Sequence, residues 1–277
     1  MYKTLIFFTM LLNVPKASVS AESSPVTAEL VTRESSIQPG RPFLIGVHLT
    51  MDEDYHTYWK NPGNSGLPTR IEWSLPAGFT AGDIHWPFPK RFVNESEVTF
   101  GYENNVILLT KITPPETLTQ SRITLKADVS WLACSDICIP GRATLSKSMA
   151  VKHSKPAKNQ THFELFNRSL ENLPKAAEHS RFSSSILGEH LFLEFDINEI
   201  CNDKNVNPID LFIEQEGVVQ NSKNVQFKHQ NDVFAVRLSI SPYLDHVPSL
   251  LSGVLVYRCD ISGKSEKRAV HFTTSPE

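Results

Sequence analysis

Two cysteines, Cys134 and Cys138, stand four residues apart in Val129-Ser-Trp-Leu-Ala-Cys-Ser-Asp-Ile-Cys-Ile-Pro-Gly141. A disulfide needs Cα atoms roughly 4.4–6.8 Å apart. Extended backbone would hold residues four apart at about 13 Å, so Ser135-Asp136-Ile137 must curl for the pair to close. A ring this small removes little entropy from the unfolded chain and stabilises weakly. The spacing therefore points to redox exchange or metal binding before reinforcement. Exchange needs an accessible sulfur and a thiolate. The nearest charge, Asp136, disfavours a thiolate, and Arg142 just past the turn offsets it. For metal, two thiolates with His56 or His85 would make a soft site suited to Cu(I). No sequence spacing ties those histidines to the cysteines.

The elements that must carry the pair are strands. Val26–Thr32, Phe43–Leu49, Ile71–Leu75, Val106–Ile112, Ile123–Val129 and Ala143–Val151 alternate or are short apolar runs, separated by Gly, Pro and Asn turns. Tyr55 begins another strand that runs into the loop Asn61-Pro-Gly-Asn-Ser-Gly-Leu-Pro68, and Ile84–Pro89 reads as an edge strand or extended connection. Phe92–Phe100 reads as a polar loop. Together these predict a β-sandwich of about 130 residues. Trp59, Trp73, Trp86 and Trp131 are assigned to its core, with Trp131 also close enough to Cys134 to wall one side of a site. Phe163, Phe166, Leu170 and Leu173 have helical spacing and Pro174 ends the run, which predicts a connector helix. Six strand patterns from Leu191 to Phe272 then predict a second, smaller sandwich. The organisation is 1–21 as a leader, 22–152 as the cysteine-bearing domain, 153–183 as a linker with a helix, and 184–277 as the second domain.

A chain of 277 residues with a formal charge of −3 offers no basic surface for nucleic acid. Lys3, the apolar run Leu5–Leu12 and the small residues Val19-Ser-Ala21 read as an export signal cleaved near Ala21. The run is too short for a span of about 20 residues. In an oxidising compartment cysteines tend to pair. The short spacing favours Cys134 with Cys138, which leaves Cys201 and Cys259 as a structural disulfide or as two free thiols. No phosphate-binding glycine loop, Ser/His/Asp set or paired-carboxylate motif stands out, and no cofactor is called for.

His56-Thr-Tyr-Trp-Lys-Asn-Pro-Gly-Asn-Ser-Gly-Leu-Pro68, Ile84-His-Trp-Pro87, Gly101-Tyr102 and Trp131-Leu-Ala-Cys-Ser-Asp-Ile-Cys-Ile-Pro-Gly141 follow one another in a familiar order. The chain resembles the periplasmic N-terminal region of the thiol:disulfide interchange protein DsbD family and its copper-suppressor relative ScsB. Asp210–Asn221 looks like the ScsB-type branch. The resemblance implies an all-β protein of two immunoglobulin-like β-sandwich domains joined by a short helical connector. It implies that Cys134 and Cys138 are the redox pair, and that a cap loop at Phe92–Phe100 covers the sulfurs through Phe92 or Phe100. It further implies a membrane or thioredoxin-like electron donor and a periplasmic disulfide isomerase, or related thiol oxidoreductase, as acceptor. Long family members continue into a membrane domain and a thioredoxin-like domain, whereas this sequence stops at Glu277, so the donor is expected to be a separate polypeptide. The competing expectation is a non-catalytic periplasmic module that binds copper or docks a partner, with the disulfide as a staple.

Overall fold

The computed structural model describes residues 24–95, 97–177, 181–196, 206–230, 233–261 and 264–277. The expected leader and Cys201 lie outside the described residues. The first half of the chain supplies strands β1 (Val26–Thr32), β2 (Ser36–Ile37), β3 (Phe43–Met51), β4 (His56–Gly63), β5 (Arg70–Ser74) and β6 (Thr80–His85). It continues with β7 (Lys90–Val93), β8 (Val98–Glu103), β9 (Asn105–Thr113), β10 (Arg122–Cys134) and β11 (Cys138–Val151). One helix, α1 (Phe163–Glu171), follows. The second half supplies β12 (Lys175–Ala176), β13 (Arg181–Leu187), β14 (His190–Asp196) and β15 (Asn207–Ile213). It ends with β16 (Phe227–Gln230), β17 (Val233–Ser239), β18 (Leu251–Ile261) and β19 (Lys264–Thr274).

In the first sandwich a sheet ordered β1-β3-β9-β6 faces a larger one ordered β2-β11-β10-β4-β8-β7, with β5 alongside β10. The strict alternation of β10 explains its burial. Ile123, Leu125, Ala127 and Val129 enter the core while the residues between them stay exposed. They meet Ile45, Val47, Leu49 and Leu108 of the opposite sheet.

β1 and β9 instead carry apolar residues on both faces: Leu30 with Val31, and Leu108 with Leu109, are all buried. A strand apolar on both sides must be covered twice. The predicted connector helix does this. Phe166 of α1 packs with Val31, Ile107 and Leu109 on the outer face, and Ser169 Oγ donates to the Ile107 carbonyl at 3.2 Å. The helix is thus part of the first sandwich's packing and not a free tether between domains.

The Phe92–Phe100 stretch also differs from its reading as a loop. Its ends are β7 and β8, paired antiparallel with Phe92 opposite Thr99 and Arg91 opposite Phe100. Only the turn between them is irregular, and Asn94 Oδ1 closes it by accepting from the Glu97 N–H at 2.7 Å. Aromatic and β-branched residues at Phe92, Val93, Val98 and Thr99 favour strands despite the acidic residues between them.

The second half forms two four-stranded sheets, β12-β19-β18-β15 and β13-β14-β17-β16. β13 was not among the strands expected, and it begins at Arg181, before the expected boundary at 184. Phe182 on it stacks on Phe272 and Phe195, with ring centroids 4.9 and 5.7 Å apart. The architecture is all-β and immunoglobulin-like, with one helix among the described residues.

The two sandwiches share buried surface. Phe212 of β15 meets Trp59 and Phe100 edge-on at 6.0 and 5.0 Å, and Val254, Val256 and Ala269 join the same core cluster. Arg91 spans the junction. Its guanidinium lies over both Phe100 and Phe212, and it donates to both carboxylate oxygens of Asp210 and to the Leu211 and Ser222 carbonyls. A bulge in β15 between Pro208 and Asp210 accompanies this presentation of the carboxylate. Nearby, Asn61 Nδ2 donates to the Ile213 carbonyl at 2.8 Å, and Lys60 and His271 both reach Glu214. Burial pushes the Glu214 carboxyl up, but hydrogen bonds and charge from His271 and Lys60 outweigh it and hold the pKa at about 2.

Two outcomes are expected. Asp210→Ala leaves the nearly buried Arg91 without its carboxylate and should destabilise by about 3 kcal/mol, read by denaturant unfolding. Glu214 has a folded pKa below its ordinary value of 4.5, so its contribution is complete above that pH and is lost as pH falls toward about 2. Allowing for solvent screening through the partly exposed Lys60 and His271, that contribution is about 2 kcal/mol. The gap in Tm between wild type and Glu214→Gln should therefore be constant from pH 7 to 5 and shrink below that.

Candidate redox-active site

β10 and β11 pair without interruption from Arg122↔Ala150 to Cys134↔Cys138, so the two cysteines face each other at the last rung of the hairpin. Ser135-Asp136-Ile137 makes the tip, with the Ser135 N–H donating to the Ile137 carbonyl at 3.1 Å. The cysteines are joined as a disulfide with Cα atoms 4.1 Å apart. Their environments differ. Cys134 is 3% exposed, whereas Cys138 is exposed and stands beside Ile137, itself 63% exposed. A nucleophile from outside reaches the Cys138 sulfur first.

What buries Cys134 is the neighbouring strand. β5 covers the other edge of β10 along Lys126–Ser130, and β4 meets it at Cys134↔His56. Directly opposed residues share a sheet face, so the His56 imidazole lies on the disulfide's side. On that side Phe92 stacks on His56, with centroids 4.5 Å apart and planes 18° apart. Tyr58 meets the same ring edge-on at 5.1 Å. Gly66, at φ +110°, lies against the Tyr58 ring, where a Cβ would come within 2.2 Å of it. His56 Nε2 is buried with no hydrogen-bond partner. Burial lowers the His56 pKa, and Glu103, opposite it on β8, pulls it back up. Glu103 is itself paired with Lys90 of β7.

The period-two alternation sorts the expected cap residues. Lys90, Phe92, Glu103, His56 and Cys134 fall on one face; Arg91, Phe100, Thr57 and Tyr102 fall on the other. Phe92 therefore sits over His56 beside the disulfide. Phe100 does not: it is 2% exposed and packed against Phe212, on the opposite side of the sheet. Trp131 is corrected for the same reason. Odd-numbered residues of β10 point into the sandwich, so Trp131 is core and does not wall the sulfurs. It lies flat on its cross-strand partner Gly141, where a Cβ would come within 2.3 Å of the indole nitrogen. That close approach is why glycine follows Pro140. Trp59 is fully buried, and Trp73 and Trp86 are partly buried against the same core.

Among the described residues no group of three or more His, Cys, Asp or Glu is arranged to hold a metal. His85 is exposed on β6, in the opposite sheet from the cysteines. Arg142 is exposed farther along the hairpin, opposite Ser130. Cys259 is buried in β18 and disulfide-bonded; its expected partner Cys201 lies outside the described residues. Sequence reasoning named His56 only as one of two candidate metal ligands and had no spacing to place it against Cys134. Its link to Cys134 is a single long-range strand pair.

Residues 24–150 match the family described as thiol:disulfide interchange protein DsbD, N-terminal. The N-terminal periplasmic domain of ScsB from Proteus mirabilis shares the fold at a TM-score of 0.64 and 17% sequence identity, covering 93% of this chain and 96% of that one. BcpA, the major pilin subunit of Bacillus cereus, aligns at a TM-score of 0.27 and 11% identity over 91% of this chain and 68% of that one. No curated protein matches the chain by sequence. No helix among the described residues is long and apolar enough to cross a membrane. Residues 24–150, the sandwich that carries Cys134 and Cys138, are accordingly a DsbD N-terminal-like domain.

Proposed function

We propose that this chain is a periplasmic thiol–disulfide exchange protein. In its dithiol form it reduces the disulfide of a periplasmic oxidoreductase, and a membrane or thioredoxin-like donor restores it. The observation that carries this reading is the asymmetric disulfide at the hairpin tip, with Cys138 exposed and Cys134 buried opposite His56 of β4, on which Phe92 stacks. A bridge closing so small a ring adds little as a staple, whereas one exposed sulfur beside one sheltered sulfur suits stepwise exchange.

The sequence of events follows from exposure. The Cys138 thiolate attacks one sulfur of the partner's disulfide, and the other partner sulfur leaves with the electron pair and takes up a proton. Cys134 then attacks Cys138, closing the intramolecular bond and releasing the second partner thiol. Two electrons and two protons pass to the partner. Phe92 shields the pair between encounters.

Three measurements test this. The Cys134–Cys138 couple, equilibrated in graded thiol buffers and trapped by a mass-tagging alkylator, should have a potential above about −300 mV. A lower value with no trapping in the folded state means a structural bridge, and tight stoichiometric Cu(I) binding lost with Cys134→Ser would mean a metal module. Cys134→Ser should accumulate a mixed disulfide through Cys138, while Cys138→Ser should accumulate almost none; equal trapping by both would contradict the division of roles. Phe92→Ala should speed reduction of the disulfide by a small thiol roughly tenfold, as access to the attacked sulfur increases.

A further inference from the structure

Closing the disulfide requires Cys134 to lose a proton in a place sealed from water. Cys134 is 3% exposed, and burial in apolar surroundings raises a thiol's pKa. The tip residues Ser135-Asp136-Ile137 include no cation. The group opposite is an imidazole whose Nε2 is buried without a partner, an arrangement costly enough to want a reason. Cross-strand partners have Cβ atoms about 4.5–5.5 Å apart, within reach of a thiol free to turn about its Cα–Cβ bond.

Resting on the exchange reading above, we propose that His56 is the base for Cys134. Its Nε2 takes the Cys134 Sγ proton as that sulfur attacks Cys138. In the closing step the Cys134–Cys138 bond forms and the bond from Cys138 to the partner breaks. The electron pair leaves on the partner's sulfur, which is reduced as the cysteine pair is oxidised. The proton on Nε2 then passes to the departing thiolate or to water admitted as the partner leaves.

The charged and titratable groups around the ring suit this. Glu103 of β8 faces it and favours the imidazolium, Lys90 of β7 holds Glu103, and Tyr58 on the same strand lies edge-on with Glu97 beyond it. Burial keeps the resting imidazole neutral and so able to accept. Phe92 fixes the ring's plane by stacking, so in this proposal His56 is the group that meets the reacting sulfur and Phe92 positions it.

The test follows the mixed disulfide formed when the reduced chain meets glutathione disulfide, by acid quench and intact mass between pH 6 and 9.5. In His56→Gln the mixed disulfide should persist roughly tenfold longer than in wild type at pH 7. The difference should vanish near pH 9.5, where the thiol ionises unaided. His85→Gln, exposed in the opposite sheet, should retain the wild-type lifetime and pH profile. Equal lifetimes at pH 7, or a gap unchanged across the pH range, would overturn the assignment of His56 and leave the exchange reading standing. Failure of the reduced wild-type protein to form either the mixed disulfide or the closed Cys134–Cys138 bond would instead remove both.

Discussion

The register of the β10–β11 hairpin is the constraint on which the site depends. Its pairing runs unbroken until Cys134 faces Cys138. Side chains in a strand repeat every two residues, so a slip by one would send every core residue of β10 to solvent and the sulfurs to the wrong face. The slip is blocked by burial: Ile123, Leu125, Ala127, Val129 and Trp131 would all have to leave the sandwich. Trp131 adds a local lock, because its indole fits only over a residue without a Cβ, and Gly141 is that residue. A weak bridge thus ends a strongly specified ladder, so its sulfurs can be opened without the ladder depending on them.

The same alternation divides β7 and β8 between two tasks. Neighbouring residues Arg91 and Phe92 point to opposite sides of the sheet. One enters the junction with the second sandwich and the other covers the imidazole beside the disulfide. A loop would have had no such division. This is why Phe92–Phe100 is built as two paired strands, and why only one of its two terminal phenylalanines lies on the face of the sulfurs.

Much of this was legible in the sequence. The strand patterns gave both sandwiches, and the cysteine spacing with Pro140 and Gly141 gave the turn that closes the pair. Those signals are local. Trp131 was misplaced because proximity along the chain was allowed to stand for proximity in space, although parity within a strand already set it apart from Cys134; Phe100 was offered beside Phe92 by the resemblance, which does not say which face each ring takes. His56 was offered only as a metal ligand, on a par with His85, because its partner is 78 positions away and nothing in either segment encodes their meeting. Arg91 and Asp210 were silent for the same reason. The helix was found from its apolar spacing, but its seat was not, although the doubled apolar pattern of β1 and β9 called for a cover.

The cap takes its rigidity from the far side of its own strand. Arg91 makes hydrogen bonds to Asp210, Leu211 and Ser222 and is held between two aromatic rings, which pins the backbone of β7 at the residue before Phe92. Beyond Phe92 the hold is lighter. Glu97 takes one bond from Ser65, and Lys223 reaches the Glu95 carbonyl at 3.3 Å, both near the surface. A buried, multiply bonded guanidinium resists displacement far more than such exposed contacts. The strand that carries Phe92 is therefore fixed at its base and looser toward the turn. The second sandwich, although it holds neither of the two cysteines at the site, sets where the cap stands.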